Sequence, residues 1–133
     1  MNYKILNFQQ HGDERGMLVA LEESTEIPFS VKRVYYMYGT TKNGRRGYHA
    51  HKKLEQILVC VQGSCTIHID DGNDVEEIIL NKPYEGLYIA NNIWREMYKF
   101  SKDAVLLVLA SELYDENDYI RDYQKYIEMV NNS

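Results

Sequence analysis

The sequence predicts an all-β fold, an antiparallel sandwich or barrel of the jelly-roll kind, followed by one C-terminal α-helix. Three observations carry this. Short β-rich runs recur along most of the chain, each bounded by polar or glycine punctuation. With 12 Tyr and only 2 Pro, the composition suits pleated, half-buried surfaces. Only beyond Asp115 does the apolar spacing change to three- and four-residue steps, at Tyr119, Ile120, Tyr123, Tyr126, Ile127 and Val130.

The elements follow in order. Lys4 to Phe8, Met17 to Leu21 and Val31 to Tyr38 read as strands, separated by His11-Gly12-Asp13 and by Glu22 to Pro28. His11 is placed in a turn. Gly39 to Gly47 is a long basic loop. Leu54 to Val61 and Ser64 to Asp70 flank Gln62-Gly63, and Val75 to Leu80 follows Asp71-Gly72-Asn73, a sequence that favours a tight turn with positive φ. After Lys82-Pro83, the runs Gly86 to Ala90, Arg95 to Phe100 and Val105 to Ala110 supply three more strands. Asp115, Glu116 and Asp118 sit where a helix start welcomes negative charge. A jelly-roll closure manages the edges that some ten strands would otherwise expose. The expectation is one domain over residues 1–133, with a barrel over about 2–112 and a helix over about 115–130.

Composition narrows the function. Fifteen Lys plus Arg against 20 Asp plus Glu give a formal net charge of −5, which argues against a nucleic-acid-coating surface. Local arginines can still hold one phosphate-bearing small molecule. The two cysteines, Cys60 and Cys65, form no disulfide framework, and no apolar run reaches the roughly 20 residues of a membrane helix. The N-terminal stretch has no signal-peptide core. A cytoplasmic chain with neither membrane nor nucleic-acid partner is expected.

The chemistry concentrates in Arg45-Arg46-Gly47-Tyr48-His49-Ala50-His51. On a strand, His49 and His51 share a face, because side chains alternate with period two. Two converging imidazoles can hold a metal or move a proton near neutral pH. Arg15, Arg33 and Arg46 lie in separate β-rich segments, where guanidinium forks can reach phosphate oxygens. Tyr35 shares a face with Met37 and alone of the two offers a hydroxyl. His68, His11 and the cysteines carry no functional expectation.

Gly44, His49, His51, Glu55 and Gly63 resemble the first cupin motif, one residue short before the histidines and one long before the last glycine. Metal-binding cupins carry a further histidine in a second motif, where this chain reads Gly86 to Met97 without one. That ligand count favours a metal-free site. A closer resemblance rests on Asp13-Glu14-Arg15-Gly16, Lys32 to Tyr36, Arg46 to Gln56, Asp70 to Asn73, Trp94 to Met97 and Tyr114 to Arg121. Together they resemble the dTDP-4-oxo-6-deoxy-D-glucose 3,4-ketoisomerases, from about Asn2 to Tyr126.

The resemblance implies a homodimeric cupin without metal or cofactor, acting on a dTDP-linked 4-oxo-6-deoxy sugar for bacterial surface polysaccharide. A 3,4-ketoisomerase removes the proton from C3, passes through an enediol(ate) and protonates C4, so it needs a base, a second proton carrier and donors for the enediolate oxygen. His49 and His51 fill the first two roles, with His51 favoured as base. Arg15, Arg33, Tyr35 and Arg46 are the expected substrate contacts. Met17 and Arg95 join them as positions that set C4 stereochemistry, since within the family an arginine at the latter place resembles the gluco-forming type. Competing readings are a 3,5-epimerase, a non-catalytic sugar-nucleotide-binding cupin and, least favoured, a metal-dependent oxygenase.

Overall fold

The computed structural model describes residues 1–132. Twelve strands occur among them: β1 Tyr3–Asn7, β2 Gln10–Asp13, β3 Gly16–Val19, β4 Arg33–Met37, β5 Arg46–His51, β6 Gln56–Gln62, β7 Cys65–Asp70, β8 Val75–Leu80, β9 Glu85–Ile89, β10 Trp94–Tyr98, β11 Val105–Ala110 and β12 Tyr119–Ile120. They form two five-stranded sheets, β1-β9-β6-β11-β4 and β12-β5-β10-β7-β8, with β2-β3 as a separate hairpin. The pairings within the sheets are antiparallel. This is the all-β sandwich with one terminal helix that the sequence predicts.

The main core lies between the sheets and includes Ile57, Leu58, Ile67, Ile69, Leu87, Ile89, Leu106 and Val108, all shielded from solvent. Burial of such side chains contributes roughly 1.5–3 kcal/mol each. Edge strand β4 alternates instead. Arg33, Tyr35 and Met37 are half-buried, whereas Val34, Tyr36 and Tyr38 are exposed. The Asp71-Gly72 turn forms as expected, with Gly72 at φ +91° and its N–H donating to Asp70 Oδ1 at 2.7 Å. Cys60 and Cys65 are free and buried. His11 lies within β2, paired with Leu18, and not in a turn: the hairpin extends on both sides of Glu14-Arg15.

The helix is shorter than its spacing suggests. Helix α1 spans Tyr123–Asn131, not 115–130, and is capped by Asp122, whose side chain accepts from the N–H groups of Gln124 and Lys125. Ahead of it, Asp115 caps a single 3-10 turn at Glu116–Asp118, and β12 then pairs Tyr119 with His51 and Ile120 with Ala50. Ladder bonds to the open edge of β5 thus override the helical period, a tertiary effect that local propensity does not contain. Tyr126 locks the helix down, fully buried against Trp94, with its hydroxyl within 2.8–2.9 Å of the Asn92 and Asp70 carbonyls. Among the described residues, no helix is long and apolar enough to cross a membrane.

Candidate active site

A cavity of about 360 Å³ opens between β4 of one sheet and β5–β10 of the other. β4 contributes Arg33, Tyr35 and Met37; β5 contributes Arg46, Gly47 and His49; Met97, Tyr119 and Arg121 complete the wall. A larger cleft of about 830 Å³ lies between residues 40–43 and 99–102, but its wall of lysines, hydroxyls, one amide and Phe100 contains no imidazole or carboxylate. Proton chemistry therefore belongs to the smaller cavity.

A β-bulge makes this wall. Arg46 and His49 are three residues apart, which in a regular strand would send them to opposite faces. The register against β10 instead jumps, pairing Arg95 with His49 but Glu96 with Gly47 and Met97 with Arg46, so Tyr48 is the extra residue. Its backbone sits at φ +56° and that of Gly47 at φ +90°. A Cβ on Gly47 would lie 2.9 Å from the Arg95 carbonyl oxygen, so glycine is required by both space and conformation. The bulge re-aims Arg46 onto the face of the histidines, a common use of bulges beside active sites.

The two imidazoles stand edge to face, 4.8 Å between centroids, and Tyr119 packs against both at 4.9 and 4.4 Å. His51 Nδ1 lies 3.2 Å from Asp118 Oδ2. That carboxylate also accepts from the backbone N–H groups of Lys53 and Leu54, which fixes its position. A carboxylate only accepts, so a neutral His51 donates from Nδ1 and carries its lone pair on Nε2. The Nε2 atoms of His49 and His51 are buried without a hydrogen-bond partner among the described residues. Burial, then the Arg95 cation, pushes His49 down to about 4 and His51 to about 2. Both are neutral bases at pH 7.

Arg95 is fully buried, donating to Gln56 Oε1 at 2.5 Å and to the Ile93 carbonyl at 2.9 Å. Burial lowers it to about 10, and it remains a cation at neutral pH. Arg33 packs over the Tyr35 and Tyr114 rings, and its Nε and Nη2 are buried without a partner among the described residues. Such orphaned cationic donors facing a cavity suit an anionic ligand. Arg121 is held by Glu116 through Nε and Nη2 at 2.7 and 2.9 Å and lies over the Tyr119 ring.

The family profile described as "FdtA: WxcM-like, C-terminal" matches residues 1–131. The chain belongs to this family, that of the sugar 3,4-ketoisomerases. A curated relative, the TDP-4-oxo-6-deoxy-alpha-D-glucose-3,4-oxoisomerase of Aneurinibacillus thermoaerophilus, is 54% identical over 98% of this chain and 96% of its own. The crystal structure of a 3,4-ketoisomerase from Helicobacter canadensis is 56% identical, covers 98% of each chain and superposes with a TM-score of 0.96. A histidine-to-asparagine variant of the 3,4-ketoisomerase QdtA from Thermoanaerobacterium thermosaccharolyticum, in complex with TDP-4-keto-6-deoxyglucose, is 45% identical over 98% of this chain and 95% of that one, with a TM-score of 0.96.

Of the residues singled out in this ketoisomerase-family sequence, Arg33, Tyr35, Arg46 and His49 line one cavity. His51 packs against His49, and Arg95 pairs with His49 across the ladder. Arg15 and Met17 are not with them. Both sit on the β2-β3 hairpin, where Arg15 is 84% exposed and bonded to Asp13, and Met17 is 60% exposed. Glu55, which could have joined the imidazoles at a metal, instead accepts a hydrogen bond from the Tyr88 hydroxyl. Among the described residues, no group of three or more His, Cys, Asp or Glu side chains is arranged to hold a metal ion.

Sequence reasoning missed Asp118, Tyr119, Gln56 and Arg121 as site residues. Asp118 and Arg121 belong to Tyr114 to Arg121, a segment that already carried the resemblance, yet helical spacing drew attention to its apolar stripe. Gln56 closes the motif that begins at Arg46.

Proposed function

We propose that the chain isomerises dTDP-4-oxo-6-deoxy-D-glucose to a dTDP-3-oxo-6-deoxy-hexose. The observation that carries this is the neutral His49–His51 pair, in which His49 lines a cavity whose wall also holds Arg33, its Nε and Nη2 unpartnered among the described residues. His51 Nε2 takes the C3 proton, and Asp118 at Nδ1 offsets the imidazolium charge that results. The C4 oxygen gains a proton as the enediol forms. O3 then gives up its proton as C3 becomes the carbonyl, and C4 receives a proton through the His49–His51 pair. Bonds and protons balance without a redox partner. The diphosphate lies against Arg33, Arg46 and Arg121. Burial and then Arg95 hold the histidines at low basicity, and the diphosphate charge offsets the smaller contributions of Arg33 and Arg121, so binding substrate makes the base stronger.

The C4 product is the gluco epimer. Arg95 stays charged and buried at neutral pH, so it steers the sugar and stabilises the enediolate without delivering a proton. The working unit is a cytoplasmic homodimer in which the β2-β3 hairpin, paired only with itself in one chain, brings Arg15 and Met17 to a second copy's cavity. The product serves amino-sugar synthesis for bacterial surface polysaccharide.

The test is incubation with the 4-oxo substrate in deuterated water with a C3-specific aminotransferase. A 3-amino sugar labelled at C4 is expected; label at C3 and C5 indicates the epimerase reading, and no product with tight TDP binding indicates a binding module. For the shared site, the inactive variants Arg15→Ala and His51→Asn are mixed and reassembled. Activity returns only if one chain's hairpin serves another's histidines.

A further inference from the structure

The direction of one hydrogen-bond chain is fixed by chemistry alone. Gln56 is fully buried between Arg95 and Tyr35. A guanidinium has no acceptor, so the Gln56 oxygen must face Arg95 and its amide N–H₂ must face Tyr35, to which it donates at 2.9 Å. The Tyr35 oxygen is therefore an acceptor toward Gln56, and its proton is left for a group in the cavity that Tyr35 lines. Burial raises the Tyr35 pKa, so the hydroxyl keeps that proton at neutral pH. Accepting a bond from an amide polarised by a cation also makes the hydroxyl a stronger donor.

We propose that Gln56 is a positioning residue: it transmits the fixed polarity of Arg95 to Tyr35, so that Tyr35 donates to the substrate oxygen that gains negative charge in the enediolate. This rests on the ketoisomerase reading above. Donors aimed at developing oxyanions are worth about 10²–10³ in turnover, and reversing one removes that contribution.

Gln56→Glu isolates the effect. The carboxylate keeps its pairing with Arg95 but only accepts, so Tyr35 must turn its proton onto residue 56 and away from the cavity. The expected result is a fall in kcat of about 100-fold or more, with KM and the TDP dissociation constant within about twofold. In a Tyr35→Phe background the same substitution should cost nothing further, because the hydroxyl it redirects is gone. Gln56→Met, which removes the donor without reversing the bond, should lose less than Gln56→Glu. Normal turnover in Gln56→Glu, an equal additional loss in the Tyr35→Phe background, or equal losses in the two Gln56 variants would overturn the proposal. Wild-type turnover, measured first in the coupled assay, tests the ketoisomerase reading separately.

Discussion

Asp118 Oδ2 stands 3.2 Å from His51 Nδ1 and is itself pinned by two backbone N–H groups, those of Lys53 and Leu54. A carboxylate from the segment after the last barrel strand thereby sets the tautomer of an imidazole on β5. Asp118→Asn can offer its own N–H₂ to Nδ1 and move the imidazole proton to Nε2. We expect kcat to fall about 100-fold while TDP affinity stays unchanged. His51→Asn should lose at least about as much, and His49→Asn should also be severe. Steady-state kinetics with calorimetric TDP binding checks all three; near-normal turnover in both histidine variants, with intact folds, would remove the catalytic assignment.

The histidines also set the pH behaviour. Their folded pKa values, about 4 and about 2, lie below the ordinary 6.5. Protonation of either imidazole stops proton transfer through the pair, and His49 protonates first. So kcat/KM should hold well below pH 6.5 and fall near pH 4, ahead of protonation of the His51 base itself. The acid limb of kcat should lie higher, because bound diphosphate raises histidine basicity. Stability moves in the same direction: between pH 6.5 and 4 the unfolded chain binds more protons, so stability is lost as pH falls. At pH 5 the loss is roughly 2 kcal/mol per histidine. Denaturant melts from pH 7 to 5 check this, and the slope should flatten in a double His-to-Asn variant.

Gly47→Ala tests the bulge. Its φ of +90° and the 2.9 Å approach to the Arg95 carbonyl oppose any side chain. We expect a loss of about 2–3 kcal/mol in stability and weaker TDP binding, since Arg46 depends on the bulge for its aim. Tyr48→Gly, which relieves the φ of +56°, should instead raise the melting temperature. A Gly47→Ala protein with normal stability and TDP affinity would show that the bulge does not orient Arg46.

Activity should survive exhaustive chelation. Arg95 is the ladder partner of His49 and its charge lowers the basicity of both imidazoles, which disfavours a second cation there, and Glu55 is turned toward Tyr88. Elemental analysis finding one zinc, iron or nickel per chain, lost together with turnover, would contradict this.

Stereochemistry is tested by Met17→Arg with Arg95→His. A histidine at position 95 adds a titratable donor where the wild type has a fixed cation, and the product should shift from gluco toward galacto. NMR of the trapped 3-amino sugar reads the C4 configuration. An axial C4 hydroxyl from the unaltered enzyme would reject the gluco assignment.

Sequence by itself determined the all-β class, the terminal helix and the shared face of His49 and His51, because strand and helix periods are local properties of the backbone. The motif residues also pointed to Arg33, Tyr35, Arg46 and Arg95. Only the tertiary structure decided the rest. Arg46 joins the histidines through a bulge that depends on its register against β10. Asp118 reaches His51 across 67 positions of sequence because β12 takes the edge of β5, and that pairing also moves the helix start from 115 to Tyr123. Arg15 and Met17 stay apart from the cavity because their hairpin, among the described residues, pairs with no other strand of its own chain. Each of these outcomes depends on contacts between distant segments, which no local period or spacing encodes.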